Sequence, residues 1–222
     1  MYIMKTLLCI LLVGNLSLSL LGSNLESPPD FASKELNPLK TAETFPFEIV
    51  RGMIIVQAFA DNQQGNFILD TGAPEVIINS KETTGQKTVT CGINGETTAH
   101  FTTVKKFRFA NAEKKKMLAL IMNIEHLENL LGLKIKGIIG YDFLKDFELF
   151  LDYENQFGQL RKASGKRINE NPQMVIPIQM TGHLGTVKTK ICGKTFFLGL
   201  DTGASVNVLD KNRLKKLKMS NL

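Results

Sequence analysis

Two stretches of this chain spell the same word in the same setting. Residues 67–78 read FILDTGAPEVII and residues 197–209 read FLGLDTGASVNVL, so Asp-Thr-Gly-Ala closes an apolar run twice. An unpaired carboxylate at the end of an apolar strand is costly to bury. The likeness extends upstream at the shared offset of 131 residues, the distance from 70 to 201. Pro46 matches Pro177, while Phe45/Ile176, Phe47/Ile178 and Ile49/Met180 keep their apolar character. A repeat of this length is an internal duplication, not a turn motif recurring by accident.

The N-terminus stands apart from that repeat. Lys5 is followed by an apolar stretch from Leu7 to Leu21 and then by Gly22 and Ser23, the layout of a secretory signal peptide. Gly14, Asn15, Ser17 and Ser19 interrupt the run, which argues against an uncleaved spanning anchor. Cys9 follows Leu8 rather than a small residue, against lipoprotein processing. Cleavage and export to the periplasm or the outside are expected, with no integral span afterwards. Removing residues 1–23 deletes Lys5 and no acid, so the formal charge falls by one from +6. The basic clusters at Lys105–Lys106, 114–116 and 211–218 lack interleaved stacking aromatics, so no nucleic-acid partner is expected. They read as solvated strand ends and a helix face. Cys91 and Cys192 would remain, either paired in an oxidising compartment or as buried thiols. His100, His126 and His183 are scattered and no CxxC or HExxH occurs, so neither metal nor cofactor is expected.

Downstream of a polar linker, strand signals dominate. FPFEIV, MIIVQAFA and NFILDTG read as three strands, with turns at Arg51-Gly52 and at DNQQG, 61–65. VIPIQM, TVKTKI and TFFLGLDTG repeat the pattern, with turns at TGHLG and Cys192-Gly193-Lys194. Between the copies, Asn94-Gly95 marks a hairpin, KKFRFAN and KMLALIMN read as strands, and HLENLLG gives one or two helical turns. IKGIIGYDFLKDFELFLDYENQ then supplies an apolar-apolar-Gly step, a short amphipathic helix and the strand LFLDY. The fold class is all-β, with short helices.

These residues resemble the retropepsin-like bacterial aspartyl proteases. The resemblance rests on the two Asp-Thr-Gly-Ala loops and on Gly137-Ile138-Ile139-Gly140 followed by Tyr141-Asp142-Phe143-Leu144. It covers a whole lobe from Phe45 to Gln159 and resumes at Val175. It implies a duplicated retropepsin/pepsin-like β-barrel lobe in a two-lobed chain: signal peptide 1–23, linker 24–44, first lobe 45–160, connector 161–173 and a partial second lobe 174–222. It also implies that Asp70 and Asp201 form a dyad holding one proton, because like charges that close cannot both ionise; aspartic proteases are the standard worked case of this effect. Thr71 and Thr202 would bond across to the opposite loop, Gly72 and Gly203 would allow the tight turn, and Ala73 and Ala204 would fit the crowded loop. Ile138, Ile139 and Gly140 would brace the Asp70 loop. The substrate would be a polypeptide.

The second copy departs from the pattern. After Asp201 the sequence runs only to Leu222 and holds no second apolar-apolar-Gly step. The expectation is a piece or early-terminated form of a longer two-lobed protein. The alternatives are a homodimer pairing two copies of Asp70, and a secreted peptide-binding module with impaired catalysis. Asp142, Asp146 and Asp152 are expected to be helix-cap or strand-end charges. The Asn94-Gly95 hairpin either tips a flap over substrate or is an ordinary hairpin, and the region has no flap tyrosine. Asp210 is expected to cap a short helix with Leu214 and Leu217 facing inward.

Overall fold

A computed structural model describes residues 44–163, apart from 83, 93 and 94, together with 174–208, 210 and 212. The expected signal peptide, almost all of the expected linker, most of the helix expected over 209–218 and the Cys91 side chain lie outside the described residues.

The first apolar run makes two strands rather than one. β1 (Thr44–Pro46) and β2 (Glu48–Val50) are separated by Phe47, whose ring is buried in the core. Pro46 has no N–H to give to a ladder, and β1 accordingly sits at the edge of a three-stranded sheet while β2 starts a different one. β3 (Met53–Ala60) and β4 (Gln63–Leu69) form a hairpin paired up to Ala60 and Gln63. Its turn is Asp61-Asn62 alone, at φ +49° and +67°. That is shorter than the five residues read from sequence, because Asp and Asn enter the left-handed region that a two-residue hairpin turn requires.

β5 (Val76–Asn79), β6 (Lys87–Gly92), β7 (Gly95–Phe109) and β8 (Ala112–Met122) come next. After them come α1 (Glu125–Leu131), β9 (Gly137–Ile139), α2 (Tyr141–Leu144), β10 (Phe147–Asp152) and β11 (Phe157–Lys162). Eight strands form one sheet in the order β2-β3-β4-β9-β5-β8-β7-β6, and an extra β3–β7 pairing curls it towards a barrel. A second sheet, β1-β11-β10, packs on one side. β11 carries pairing past the LFLDY strand to Lys162, into the polar stretch that sequence assigned to the connector.

The sheet is buried on both faces. Ile54, Val56, Phe67, Leu69 and Ile139 point into one cluster, and Ile55, Ile68 and Ile138 into the other. This is why the strands read as unbroken apolar runs instead of alternating. In the first cluster Phe107 meets Phe67 and Phe143 edge-on, at centroid distances of 5.4 and 5.2 Å. Burial of each such ring contributes about 1.5–3 kcal/mol, and Phe143 thereby fastens α2 beneath the sheet.

The second lobe is a three-stranded sheet of β12 (Ile178–Thr181), β13 (Leu184–Ile191) and β14 (Lys194–Gly199). Its tight turns are Gly182-His183 and Cys192-Gly193. Two lysines of the β7–β8 hairpin are ion-paired near the surface, Lys106 with Glu113 and Lys114 with Asp146. Asp142 lies in the first turn of α2 and binds Lys145, and Asp152 ends β10 and accepts from Asn155. No described helix is long and apolar enough to cross a membrane.

Candidate active site

Both Asp-Thr-Gly-Ala loops emerge where an apolar strand stops, β4 at Leu69 and β14 at Gly199. Each aspartate turns its carboxylate back onto its own loop. Asp70 Oδ1 accepts from the amides of Gly72 at 2.8 Å and Ala73 at 2.9 Å, and Asp201 Oδ1 accepts from Gly203 at 2.8 Å. Such bonds require a backbone that doubles back within two residues, which the small residues after each aspartate permit.

The two loops are held together by their threonines, in pairs related by the duplication. The Thr71 amide donates to Thr202 Oγ1, and the Thr202 amide donates to Thr71 Oγ1, both at 3.1 Å. Each hydroxyl then donates past the other loop, Thr71 to the Leu200 carbonyl at 3.1 Å and Thr202 to the Leu69 carbonyl at 2.7 Å. Every donor and acceptor in this partly buried square is used, so losing one hydroxyl orphans an amide and a carbonyl of the opposite loop.

The glycines fix how near the carboxyls come. A Cβ on Gly72 would lie 2.4 Å from Asp201 Cγ, and one on Gly203 would lie 2.3 Å from Asp70 Cγ. Each carboxyl therefore occupies the space a side chain would need on the opposite loop. Ala73 and Ala204 are both buried beside them.

The Asp70 loop is also gripped from within its lobe. β9 slides between β4 and β5, parallel to one and antiparallel to the other. The Ile139 carbonyl accepts from the Asp70 amide at 3.0 Å, and the Tyr141 and Asp142 amides donate to the carbonyls of Ala73 and Pro74. Gly140 makes this passage feasible: a Cβ there would stand 2.1 Å from the Glu75 carbonyl oxygen. Ile138, Ile139 and Gly140 thus lie alongside the first loop.

Burial pushes the Asp70 carboxyl up, to about 8, reinforced by the charge of Asp201 and a hydrogen bond with it and opposed by the Gly72 and Ala73 amides. Desolvation disfavours the Asp70 anion and the neighbouring Asp201 carboxylate disfavours it again. Glu75, just beyond the loop, is also raised, first by burial and then by Asp142, with His183 acting in the opposite direction.

Sequence reasoning set His183 aside as one of three scattered histidines. The structure carries it on the β12–β13 turn to the first loop, where Nε2 lies 3.0 Å from the Gly72 carbonyl oxygen. By the offset of 131, position 183 corresponds to Gly52, on the equivalent turn of the first lobe, and Gly52 lies against Ser205 of the second loop. Among the described residues no group of three or more His, Cys, Asp or Glu could hold a metal ion.

Residues 56–143 match the family model described as aspartyl protease. That span contains the Asp70 loop, β9 and most of α2. A crystal structure of a retropepsin-like aspartic protease from Rickettsia conorii is similar over 53% of this chain and 87% of that one, with 18% identity and a TM-score of 0.38. No curated protein matches the chain.

Proposed function

We infer that this chain, which belongs to the aspartyl protease family through its first lobe, is an aspartic endopeptidase with Asp70 and Asp201 as its dyad. One observation carries the reading: each carboxyl is seated against the glycine of the opposite loop, so the two acids face each other across a bonded threonine square.

The chemistry follows from one proton shared by two carboxyls. The ionised carboxyl takes a proton from a water, whose oxygen attacks the scissile carbonyl carbon. The protonated carboxyl donates to the carbonyl oxygen as it gains charge. Collapse of the tetrahedral intermediate returns that oxygen to a carbonyl, breaks the C–N bond and delivers a proton to the leaving amine. The amides of Gly72, Ala73 and Gly203 hold the carboxylates in place throughout. The substrate class is polypeptide. Export completes the proposal, supported by Lys5, the apolar run from Leu7 to Leu21 and the small residues after it; N-terminal sequencing of the secreted form should begin at Asn24.

The test is cleavage of a mixed peptide library from acid to neutral pH by the wild-type chain and by Asp70→Asn. Cutting by the wild type and silence from the variant are expected. Peptide retained but left uncut by both would favour a binding module.

A further inference from the structure

The duplication is symmetric in its loops and asymmetric in what touches them. In the first lobe the Arg51-Gly52 turn, with Gly52 at φ +82°, lies against Ser205 of the second loop. In the second lobe the equivalent turn, Gly182-His183, lies against Gly72 of the first loop. Where one turn presents a glycine, the other presents an imidazole.

A carbonyl oxygen only accepts, so the ring must donate through a protonated Nε2. The Gly72 carbonyl shares its peptide unit with the Ala73 amide. That amide donates to Asp70 Oδ1 at 2.9 Å, with the Asp70 carbonyl a weaker second acceptor at 3.3 Å. The atoms form one line: His183 Nε2–H, the Gly72 carbonyl, the Ala73 N–H and the Asp70 carboxylate. Hydrogen bonds arranged in series polarise one another, by roughly 10–30% per bond.

We propose that His183 is a positioning residue that acts through the Gly72–Ala73 peptide to weaken the hold of Asp70 on the shared proton. Donation to the Gly72 oxygen makes the Ala73 N–H a stronger donor, and a stronger donor favours ionised Asp70. An imidazolium donates more strongly than a neutral ring, so the effect grows as His183 gains a proton. The ring faces Glu75, behind which stand Asp142 and its partner Lys145, and through the peptide it faces Asp70 and Asp201. The inference rests on the dyad proposed above, yet its test does not depend on turnover.

The experiment is an NMR titration of the full chain with carboxyl-labelled aspartate and nitrogen-labelled backbone and histidine. In the wild type, His183 should show a protonated Nε2, and the Ala73 amide resonance should move with the His183 titration. In His183→Ala the apparent pKa of Asp70 should rise above that of the wild type. His183→Gln keeps a donor of similar reach, so its dyad should titrate like the wild type while the His183-linked step at Ala73 disappears. A ring that only props the loop would leave the dyad curves superimposed, and that result overturns the proposal. So does an unprotonated Nε2 or an Ala73 amide indifferent to the ring, both read in the wild type even if His183→Ala does not fold. A chain that cuts no peptide would sink the proposed activity while leaving these titrations to decide the relay.

Discussion

The two Asp-Thr-Gly-Ala loops share four residues and almost nothing of their surroundings. The Asp70 loop is enclosed by β4, β9 and β5, with three backbone bonds from the β9–α2 passage and two core clusters behind it. The Asp201 loop comes off one strand of a three-stranded sheet, steadied within its lobe by the bond from the Leu200 amide to the Gly185 carbonyl at 2.8 Å. Ile178, Met180, Phe197 and Val206 are exposed around that sheet. Yet both aspartates fold back on their glycine amides at the same 2.8 Å. The shape of the loop is therefore set by the tetrapeptide and by the opposite lobe, and the surrounding lobe adds rigidity rather than form.

If that equality extends to chemistry, the two aspartates should be equally indispensable. Asp70→Asn and Asp201→Asn are each expected to lower kcat by about 10²–10⁴-fold, the range for losing a general acid or base. Steady-state rates on one cleaved peptide provide the comparison. A silent Asp70 variant beside an active Asp201 variant would break the equality and point to dimers of the first lobe.

Rigidity should separate the lobes where chemistry does not. Gly140→Ala forces a methyl into the Glu75 carbonyl and should destabilise the first lobe by about 1–3 kcal/mol, the range for overpacking a fitted core. Gly137→Ala should do the same, since its Cβ would meet the Ile77 carbonyl at 2.0 Å. Gly182→Ala, with open space around its Cβ, should cost only the strain of φ +63°. Urea midpoints rank the three, and an equal loss at Gly182 would contradict this account of the brace.

The threonine square offers a finer cut, because it belongs to neither lobe alone. Thr71→Val and Thr202→Val each remove a hydroxyl that donates once and accepts once, and each should cost about 1–3 kcal/mol through the orphaned groups. The double variant should cost less than their sum, since losing one pair of bonds already loosens the loop contact that aligns the other pair. Additive losses in a double-mutant cycle would mean that the two halves of the square act independently.

How much of this the sequence disclosed depended on whether a feature was local or relational. The loops, the Gly-Ile-Ile-Gly passage and the apolar strands were legible because each writes its requirement into adjacent residues. Gly140 is glycine because another backbone lies 2.1 Å from where its Cβ would be, and the motif preserves that fact in one dimension. The split of FPFEIV at Phe47 was hidden, since nothing local says that β1 and β2 belong to different sheets. β11 was hidden because Arg161 and Lys162 look like a linker until Glu148 and Phe147 pair with them. His183 was hidden for a third reason: its partner is a carbonyl 111 positions away, and a carbonyl leaves no mark on the sequence.

The last effect concerns stability and pH, and its sign is opposite to that of an ordinary carboxylate. Asp70 is held above its unfolded value, so between about 4 and 8 the native chain binds more protons at this site than the unfolded chain does. Stability from this group is then fully present below the unfolded pKa and is lost as pH rises through about 8. The lowered Asp146 and Asp152 run the other way, contributing above their unfolded values and losing that contribution in acid. Asp70→Asn keeps an oxygen to accept from the Gly72 and Ala73 amides and removes the ionisation. It should therefore unfold at higher urea than the wild type at pH 8, with the gap closing by pH 4. The matched Asp201→Asn curve then sharpens the comparison between the loops: a parallel gain would mean that either member can relieve the pair, and a gain confined to Asp70→Asn would locate the burden in the braced lobe.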